Sequence, residues 1–440
     1  MASLSLDGLM RLMEKTPRCA EIGTVERVVG LLIESKGPQA KLGDLCRIET
    51  GNPFEPFMEA EVVGFRDGRI QLMPMGEMAN LAPGSRVWNT GEPYRIAVGP
   101  ELLGRVLDGL GRPIDDRYPL SDNVHFHIHA HPPHPLKRQE IEEPIPMGVK
   151  AIDGFLTLGK GQRVGIFAGS GVGKSTLLGM IARNTKADLS VIALIGERGR
   201  EVRDFIENAL GEEGLRRSVL VIATSEQSAL AKIKASLVAT TIAEYFRKEG
   251  KNVLLMMDSL TRVAMALREV GLAIGEPPTT RGYPPSMFAY MPRLLERAGA
   301  SETGAITGLY TVLVEGDDMN EPVADTVRGL LDGHIVLRRE LADQNHFPAI
   351  DVLGSVSRLF IQLATPEQRE AAGKLRDLLA TYRKSEDLIS IGAYVPGANP
   401  KLDRAVSLNG DLLGLLRQAV EENIAFEDTL QQMQALSSRC

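Results

Sequence analysis

Ala168-Gly-Ser-Gly-Val-Gly-Lys-Ser175 is the stretch that decides the architecture. The apolar run Arg163–Ala168 before it predicts a strand, and the pattern of Ser175–Arg183 after it predicts a helix. Four of the five residues from 169 to 173 are Gly or Ser. A backbone of that composition can curl until several N–H groups converge on one anion, beside the partial positive charge of a helix N-terminus. A strand, a glycine-rich loop and a helix in that order form a phosphate cradle, and a chance glycine-rich turn would not come so flanked. Gly169, Ser170, Gly171, Val172, Gly173, Lys174, Ser175 and Thr176 are therefore the predicted nucleotide contacts. Lys174 is the residue to reach the β- and γ-phosphates and Ser175 the hydroxyl to ligate Mg²⁺. Ala168 stands where such loops often begin with Gly.

Working downstream, Val253-Leu-Leu-Met-Met-Asp258 reads as a buried strand delivering a carboxylate to the sheet edge, where it can complete a Mg²⁺ shell. Many core strands end in Asp, but this one follows a phosphate loop in an α/β chain. Between them lies Leu194-Ile-Gly-Glu-Arg-Gly-Arg-Glu201. Glu197 comes directly after a predicted strand, where sheet-edge ligands gather. It and Arg198 are candidates to orient water and contact phosphate, whereas Glu201 and Arg203 read as solvated charge. Predicted strands at Leu189–Ile195, Ser218–Thr224 and Ile306–Val314 alternate with helical patterns, the mark of a parallel sheet.

Upstream, from Glu21 to Pro93, the period changes to two. Thr24–Ile33, Leu45–Ile48, Ala60–Phe65, Ile70–Met73 and Arg86–Asn89 are short strand-like runs broken by Gly-Pro, Asn-Pro, Asp-Gly and Pro-Gly pairs. That pattern predicts a small antiparallel barrel, with Asp67-Gly68 as a hairpin turn. Leu6, Leu9, Met10 and Met13 give Met1–Thr16 one apolar helical stripe, either docked on its own domain or free to bind a partner. Past Thr365 strand signals end, and Glu367–Lys384, Leu402–Leu416 and Ala425–Leu436 read as helices. The predicted domains are thus an arm (1–20), a barrel (21–93), a nucleotide-binding domain (94–364) and a helical domain (365–440).

Composition narrows the class. The chain has 440 residues, 43% of them apolar and 24% charged, which is globular rather than disordered. Its net charge of −7 supplies no global field for nucleic acid, and 5% aromatics leave little to stack single strands on. No apolar run approaches the ~20 residues of a membrane-spanning helix. Asp7 and Glu14 argue against a secretory leader. Three cysteines (Cys19, Cys46, Cys440) without ligand spacing suit a reducing cytoplasm. Five histidines crowd His125–His134. If the segment is extended, His125, His127, His129 and His131 share a face that metal could reach, but no Cys or adjacent carboxylate completes a site, and a solvated linker is the expectation. Gly275–Ser286, rich in proline, is a loop.

The phosphate loop, Gly196-Glu-Arg-Gly-Arg-Glu201, Asp258-Ser-Leu-Thr-Arg262 and Pro348-Ala-Ile-Asp-Val-Leu-Gly-Ser-Val-Ser357 together resemble the catalytic subunits of rotary ATP synthases and their hexameric relatives. Gly165–Arg200, Gly271–Ser286 and Tyr310–Leu337 resemble the type III protein-export ATPases more closely. Ala393-Tyr394 and Leu402-Asp-Arg-Ala405 are nearest to the flagellum-specific branch of that family. The resemblance runs from about Gly23 to about Asn423.

That resemblance implies an α/β protein with an N-terminal small β-barrel, a central parallel-sheet P-loop NTPase domain (RecA-like) and a C-terminal helical domain. It implies ATP as substrate with Mg²⁺, hydrolysed in a homohexamer that serves protein export. Glu197 is similar to the glutamate that polarises the attacking water. Lys174, Arg198 and Arg262 match positions lining the phosphate end of the pocket, and Ser175 and Asp258 those that hold the metal. Arg358 resembles the arginine finger donated to the neighbouring subunit. Phe347 resembles the aromatic that packs on adenine, where the synthases more often have Tyr, and Tyr394 adds to that pocket. The implied partners are a stator-like protein on the N-terminal arm, export-gate membrane proteins, and export substrates with their chaperones, with no nucleic acid. The implied location is cytoplasmic, at the periphery of the inner membrane. An injectisome ATPase is the nearest alternative; a proton-pump subunit and an RNA translocase stand further off.

Overall fold

A computed structural model describes residues 21–440 except 79, 119, 121–123, 315 and 317. The amphipathic reading of Met1–Thr16 falls outside the described residues. The chain divides into two compact units, one of residues 21–94 with 270–276 and the other of the remainder.

The first unit is a closed barrel of six antiparallel strands: β1 (Ile22–Val29), β2 (Leu32–Lys36), β3 (Asp44–Glu49), β4 (Phe57–Arg66), β5 (Arg69–Pro74) and β6 (Arg86–Pro93), in the order β1-β2-β5-β4-β3-β6. Val25, Ile33, Ile48, Val62 and Leu72 fill its interior. The run Thr24–Ile33 is a hairpin rather than one strand, because Gly30 takes φ of 58° and turns the chain. The β4–β5 turn forms where the dipeptide predicts it. Asp67 and Gly68 both adopt positive φ (50° and 74°), the geometry that matches the twist of the flanking strands.

The second unit is organised by a nine-stranded sheet. Before the main strands come β7 (Arg95–Ala97), β8 (Val106–Asp108) and β9 (His125–His127). Then follow β10 (Arg163–Ala168), β11 (Leu189–Ile195), β12 (Ser218–Ala223), β13 (Asn252–Asp258), β14 (Gly299–Ala300), β15 (Ala305–Leu313), β16 (Gly333–Leu337) and β17 (Val356–Ser357). The spatial order is β17-β16-β10-β15-β13-β11-β12-β8, with β14 on β15. The contiguous strands β16 to β8 run parallel, and β14 and β17 are antiparallel additions. β11 and β12 are buried at every position, as a sheet covered on both faces requires. The sequence pattern missed β8, β16 and β17, which are short and take their pairing from distant segments.

The closing helices Pro366–Ser390, Pro400–Leu416 and Phe426–Ser437 form where the periodicity puts them. Pro366 and Pro400 open the first two, and the Thr365 and Asn399 side chains cap them. They pack directly on the sheet-bearing part of the chain. Leu375, Leu379, Leu412, Leu415 and Met433 share one core with Met147, Ile152, Leu177 and Ile181, so they belong to the compact unit that holds the sheet. No described helix is long and apolar enough to cross a membrane.

Within the histidine run only His125–His127 is strand, paired with β7. Ile128 is buried, with its carbonyl accepting from Arg297 (2.8 Å), while His125, His127 and His129 on either side are exposed. His129 Nε2 then lies 3.2 Å from Lys234 Nζ. Among the described residues no cluster of three His, Cys, Asp or Glu side chains could hold a metal.

Candidate active site

Strand order brings the predicted residues together. β10, which ends in the phosphate loop, is separated from β13 by β15 alone, and β11 lies beyond β13. Because these strands are parallel, the loop at 169–173, Asp258 at the end of β13 and Glu197 just past β11 all emerge on one edge. That edge is where ligands of open α/β sheets bind.

The loop turns through Gly171 and Gly173, with φ of 80° and 84°. The helix Lys174–Asn184 starts there, with Ser175 and Thr176 exposed at its first turn. Lys174 Nζ pairs with Asp258 Oδ1 at 2.5 Å and with Glu197 Oε1 at 3.5 Å. Burial works against its charge, yet the two carboxylates hold its pKa above the ordinary lysine value. Glu197 is pushed up to about 7, first by burial and then by the charge on Asp258, with Lys174 opposing. Asp258 is 3% exposed, and Thr311 of β15, from between the two strands, donates to its Oδ1 at 2.7 Å.

Arg262 joins this group through its stem. Gly196 has φ of 74°, and a Cβ there would come within 2.8 Å of Arg262 Cγ, so the chain before Glu197 passes directly under the arginine. Arg262 Nε is buried without a hydrogen-bond partner, a donor available to a ligand. Arg198 is exposed at the start of the helix Gly199–Asp204. The Phe347 ring packs on the loop, within 3.5 Å of where a Cβ on Gly173 would stand. Beside Phe347 opens a cavity of about 460 Å³, lined also by Lys150, Asn345, Arg417, Gln418, Ala419 and Glu422.

The fit to Mg²⁺ rests on donor chemistry. An exposed hydroxyl (Ser175) and a buried carboxylate (Asp258) on one edge are the hard oxygen ligands that this ion takes, alongside phosphate oxygens and water. Nothing in the group favours a softer metal.

Two predicted residues lie elsewhere. The Tyr394 hydroxyl donates to Asp403 Oδ1 at 2.6 Å, and Tyr394 does not line the cavity beside Phe347. Arg358 follows β17, whose Ser357 pairs with Gly333 at the start of β16. Gly333 is level with the beginning of β10, about 13 Å of strand before the phosphate loop. Arg358 is thus at the opposite edge of the sheet from its own chain's loop.

Sequence reasoning missed several neighbours of the site. Thr311 carries no motif of its own. Arg339 Nη2 donates to the Ser170 carbonyl at 2.9 Å. Gln418 is 5% exposed and fully used: its backbone N–H donates to the Phe347 carbonyl, its Oε1 accepts from Lys150 N–H, and its Nε2 donates to the Gly148 and Glu422 carbonyls, all at 2.9 Å. A glutamine 268 residues from its partner gives no local signal.

Family models match along the chain: the ATP synthase alpha/beta family β-barrel domain over residues 25–91, the nucleotide-binding domain of that family over 148–357, and the T3SS EscN ATPase C-terminal domain over 364–435. The chain is 54% identical over 434 residues to a flagellum-specific ATP synthase of Bacillus subtilis (strain 168), covering 99% of each. It is 50% identical over 409 residues to a type 3 secretion system ATPase of Xanthomonas euvesicatoria, covering 93% of this chain and 92% of that one. Among solved structures, the assembled ATPase EscN of the enteropathogenic E. coli type III secretion system matches with a TM-score of 0.89 and 45% identity, covering 94% of this chain and 100% of that one. EscN in complex with its central stalk EscO matches with a TM-score of 0.87 and 44% identity over the same shares.

Proposed function

The chain belongs to the flagellum-specific and type III secretion ATPases of the ATP synthase alpha/beta family, and from that premise we propose that it hydrolyses Mg-ATP at sites shared between subunits of a homohexamer that energises flagellar protein export. One observation carries the shared-site reading. Lys174, Glu197 and Asp258 converge on one edge of the sheet, while Arg358 stands at the other.

The loop N–H groups and the helix N-terminus receive the β- and γ-phosphates, and the triphosphate competes with Asp258 and Glu197 for Lys174. Ser175 and Asp258 would hold Mg²⁺, whose positive charge would offset the negative charge developing on the transferring phosphoryl group. Glu197 orients and polarises the attacking water. Arg262 and Arg198 face phosphate oxygens from the Glu197 side. Phe347 stacks on the base, which the adjoining cavity receives. Arg358 completes the site of the next subunit, where a finger of this kind is worth roughly 10³–10⁵ in rate.

The flagellar destination is preferred over an injectisome because the flagellar relative above is the more similar, 54% against 50%. By likeness to EscN with EscO, a stalk occupies the ring's centre. A stator-like protein binds the N-terminal arm, and the export gate, chaperones and substrates meet the ring from the cytoplasmic face of the inner membrane. Steady-state ATPase activity measured against protein concentration tests the core of this reading. Specific activity should rise steeply as subunits assemble; a flat dependence at all concentrations would sink it.

A further inference from the structure

The segment carrying Arg358 is mounted with unusual care for an exposed residue at a sheet edge. Ser357 Oγ receives a hydrogen bond from Gln162 Nε2 (3.0 Å) and donates to the Thr157 carbonyl (3.2 Å). Gln162 is fully buried and uses its whole amide: Oε1 accepts from Gly159 N–H (2.9 Å), and Nε2 also donates to the Asp332 carbonyl (3.2 Å). That same carbonyl accepts the Arg358 backbone N–H at 3.0 Å. A Cβ on Gly333 would stand 2.6 Å from the Val356 carbonyl, so the strand is pressed against its neighbour with no side chain between.

The charges around this mount are already taken. The Asp332 carboxylate accepts from the Arg163 backbone N–H (3.0 Å) and from Arg163 Nε and Nη2 (both 3.1 Å). It is therefore engaged by another guanidinium, and the Arg358 guanidinium makes no hydrogen bond or ion pair with the described residues. An arginine fixed at its backbone by neutral groups, with its head left for an outside anion, is an arrangement built for presentation. A carboxylate in the mount would capture the head instead.

We propose that Gln162 and Ser357 are positioning residues for the reaction: they hold Arg358 at the height and angle at which it meets the γ-phosphate bound by the neighbouring subunit. The proposal rests on the shared-site reading above. Gln162 also begins the turn into β10, the strand that ends in its own chain's phosphate loop. One strand therefore has its own chain's phosphate loop at one end and, at the other, the mount of the finger that serves the neighbour's nucleotide.

The test uses full-length protein carrying Ser357→Ala or Gln162→Met, with assembly checked by size and nucleotide binding by equilibrium titration. Each should lose at least about tenfold in kcat, as a displaced catalytic group does, with KM for ATP changed less than about twofold. Ser357→Thr, which keeps the hydroxyl, should keep most activity. In an Arg358→Ala background, read by single-turnover hydrolysis, neither substitution should cost more than about twofold further, because the finger they serve is gone. Mixing either with Glu197→Gln, which supplies a sound finger and a dead site, should recover activity. A loss that persists undiminished in the Arg358→Ala background, or no loss at all, overturns the proposal. If Arg358→Ala itself gains nothing from Glu197→Gln, the shared-site reading falls instead, and that outcome is separate. Should Gln162→Met fail to assemble, Ser357→Ala and Ser357→Thr decide alone.

Discussion

At the C-terminal edge of the central sheet Lys174 is clasped by two carboxylates, whereas at the N-terminal edge Arg358 is clasped by none. The first edge is a self-compensated cluster: one cation, Asp258 and Glu197, all largely buried, each altering its neighbours' proton affinity. The second is a lone exposed cation on a neutral mount of amide, hydroxyl and carbonyl groups. Buried charges must be satisfied within the chain or stay unfolded-like in cost, so the first edge pairs its own until a nucleotide arrives. An exposed charge bears no such cost and can wait for a partner. On the proposed reading, each edge is half of a site.

The largest effects should come from cutting either half. Arg358→Ala is expected to lower kcat by roughly 10³–10⁵, which is about 4–7 kcal/mol of transition-state stabilisation. Glu197→Gln should lower it by roughly 10²–10⁴ while leaving nucleotide binding intact. Mixed in equal amounts, the two inactive proteins should regain measurable turnover, since some interfaces then pair a sound Glu197 with a sound Arg358. Steady-state hydrolysis of the mixture against each variant alone checks this. Silence in the mixture would mean that the two edges do not meet.

A subtler cut falls inside the first edge. Thr311→Val removes the hydroxyl that steadies Asp258 Oδ1 and leaves the position buried. Loss of a group that orients a metal ligand typically costs 10–100-fold. The expectation is a rise of about tenfold in the Mg²⁺ concentration giving half-maximal activity, with saturating kcat less affected. A magnesium titration at fixed ATP reads it. Equal loss at all magnesium concentrations would place Thr311 in folding rather than in metal binding.

These two edges were not equally legible in the sequence. The phosphate loop, Glu197 and Asp258 each sit at the end of a strand, and strand ends are local features: an apolar run stops and a charged or glycine-rich residue follows. Parallel pairing then brings them together. The position of Arg358 depends instead on a non-local register, Ser357 against Gly333, between two strands too short to show a pattern. Thr311 is one more polar residue inside an apolar strand until β15 is known to lie between β10 and β13. Tyr394 was read from a shared dipeptide, and a dipeptide does not say where a loop points; here it turns to Asp403. The histidine run alternates as far as His129, with Ile128 buried and its carbonyl held by Arg297.

Substrate binding separates the edges by a different measure. Phe347 is 40% exposed, and its ring lies on Gly173. Phe347→Ala should raise KM for ATP about tenfold, within the 1–3 kcal/mol that stacking of a base is worth, and leave kcat within about threefold. Phe347→Tyr should be nearly silent. Ser357→Ala is expected to do the reverse, lowering kcat at constant KM. The pair of variants therefore distinguishes a residue that binds from one that only positions.

The smallest effect is on stability, and its sign follows from burial. His346, next to Phe347, is 2% exposed, and its Nε2 has no hydrogen-bond partner. Burial first, and the Arg417 cation second, lower its pKa to about 4. A histidine whose folded pKa lies below its unfolded value of about 6.5 leaves stability intact above pH 6.5 and removes it as pH falls towards 4. Between pH 7 and 5.5 the loss is slightly more than about 1 kcal/mol. His334, on β16 near Arg358, is also held below the ordinary histidine value by burial and nearby cations, but it is only half-buried. Acid should therefore loosen the loop edge before the finger edge. Amide exchange at pH 5.5 should rise around residues 345–350 first, and His346→Leu should suppress that rise. Faster exchange around residues 333–337 first would reverse the order in which the two edges yield.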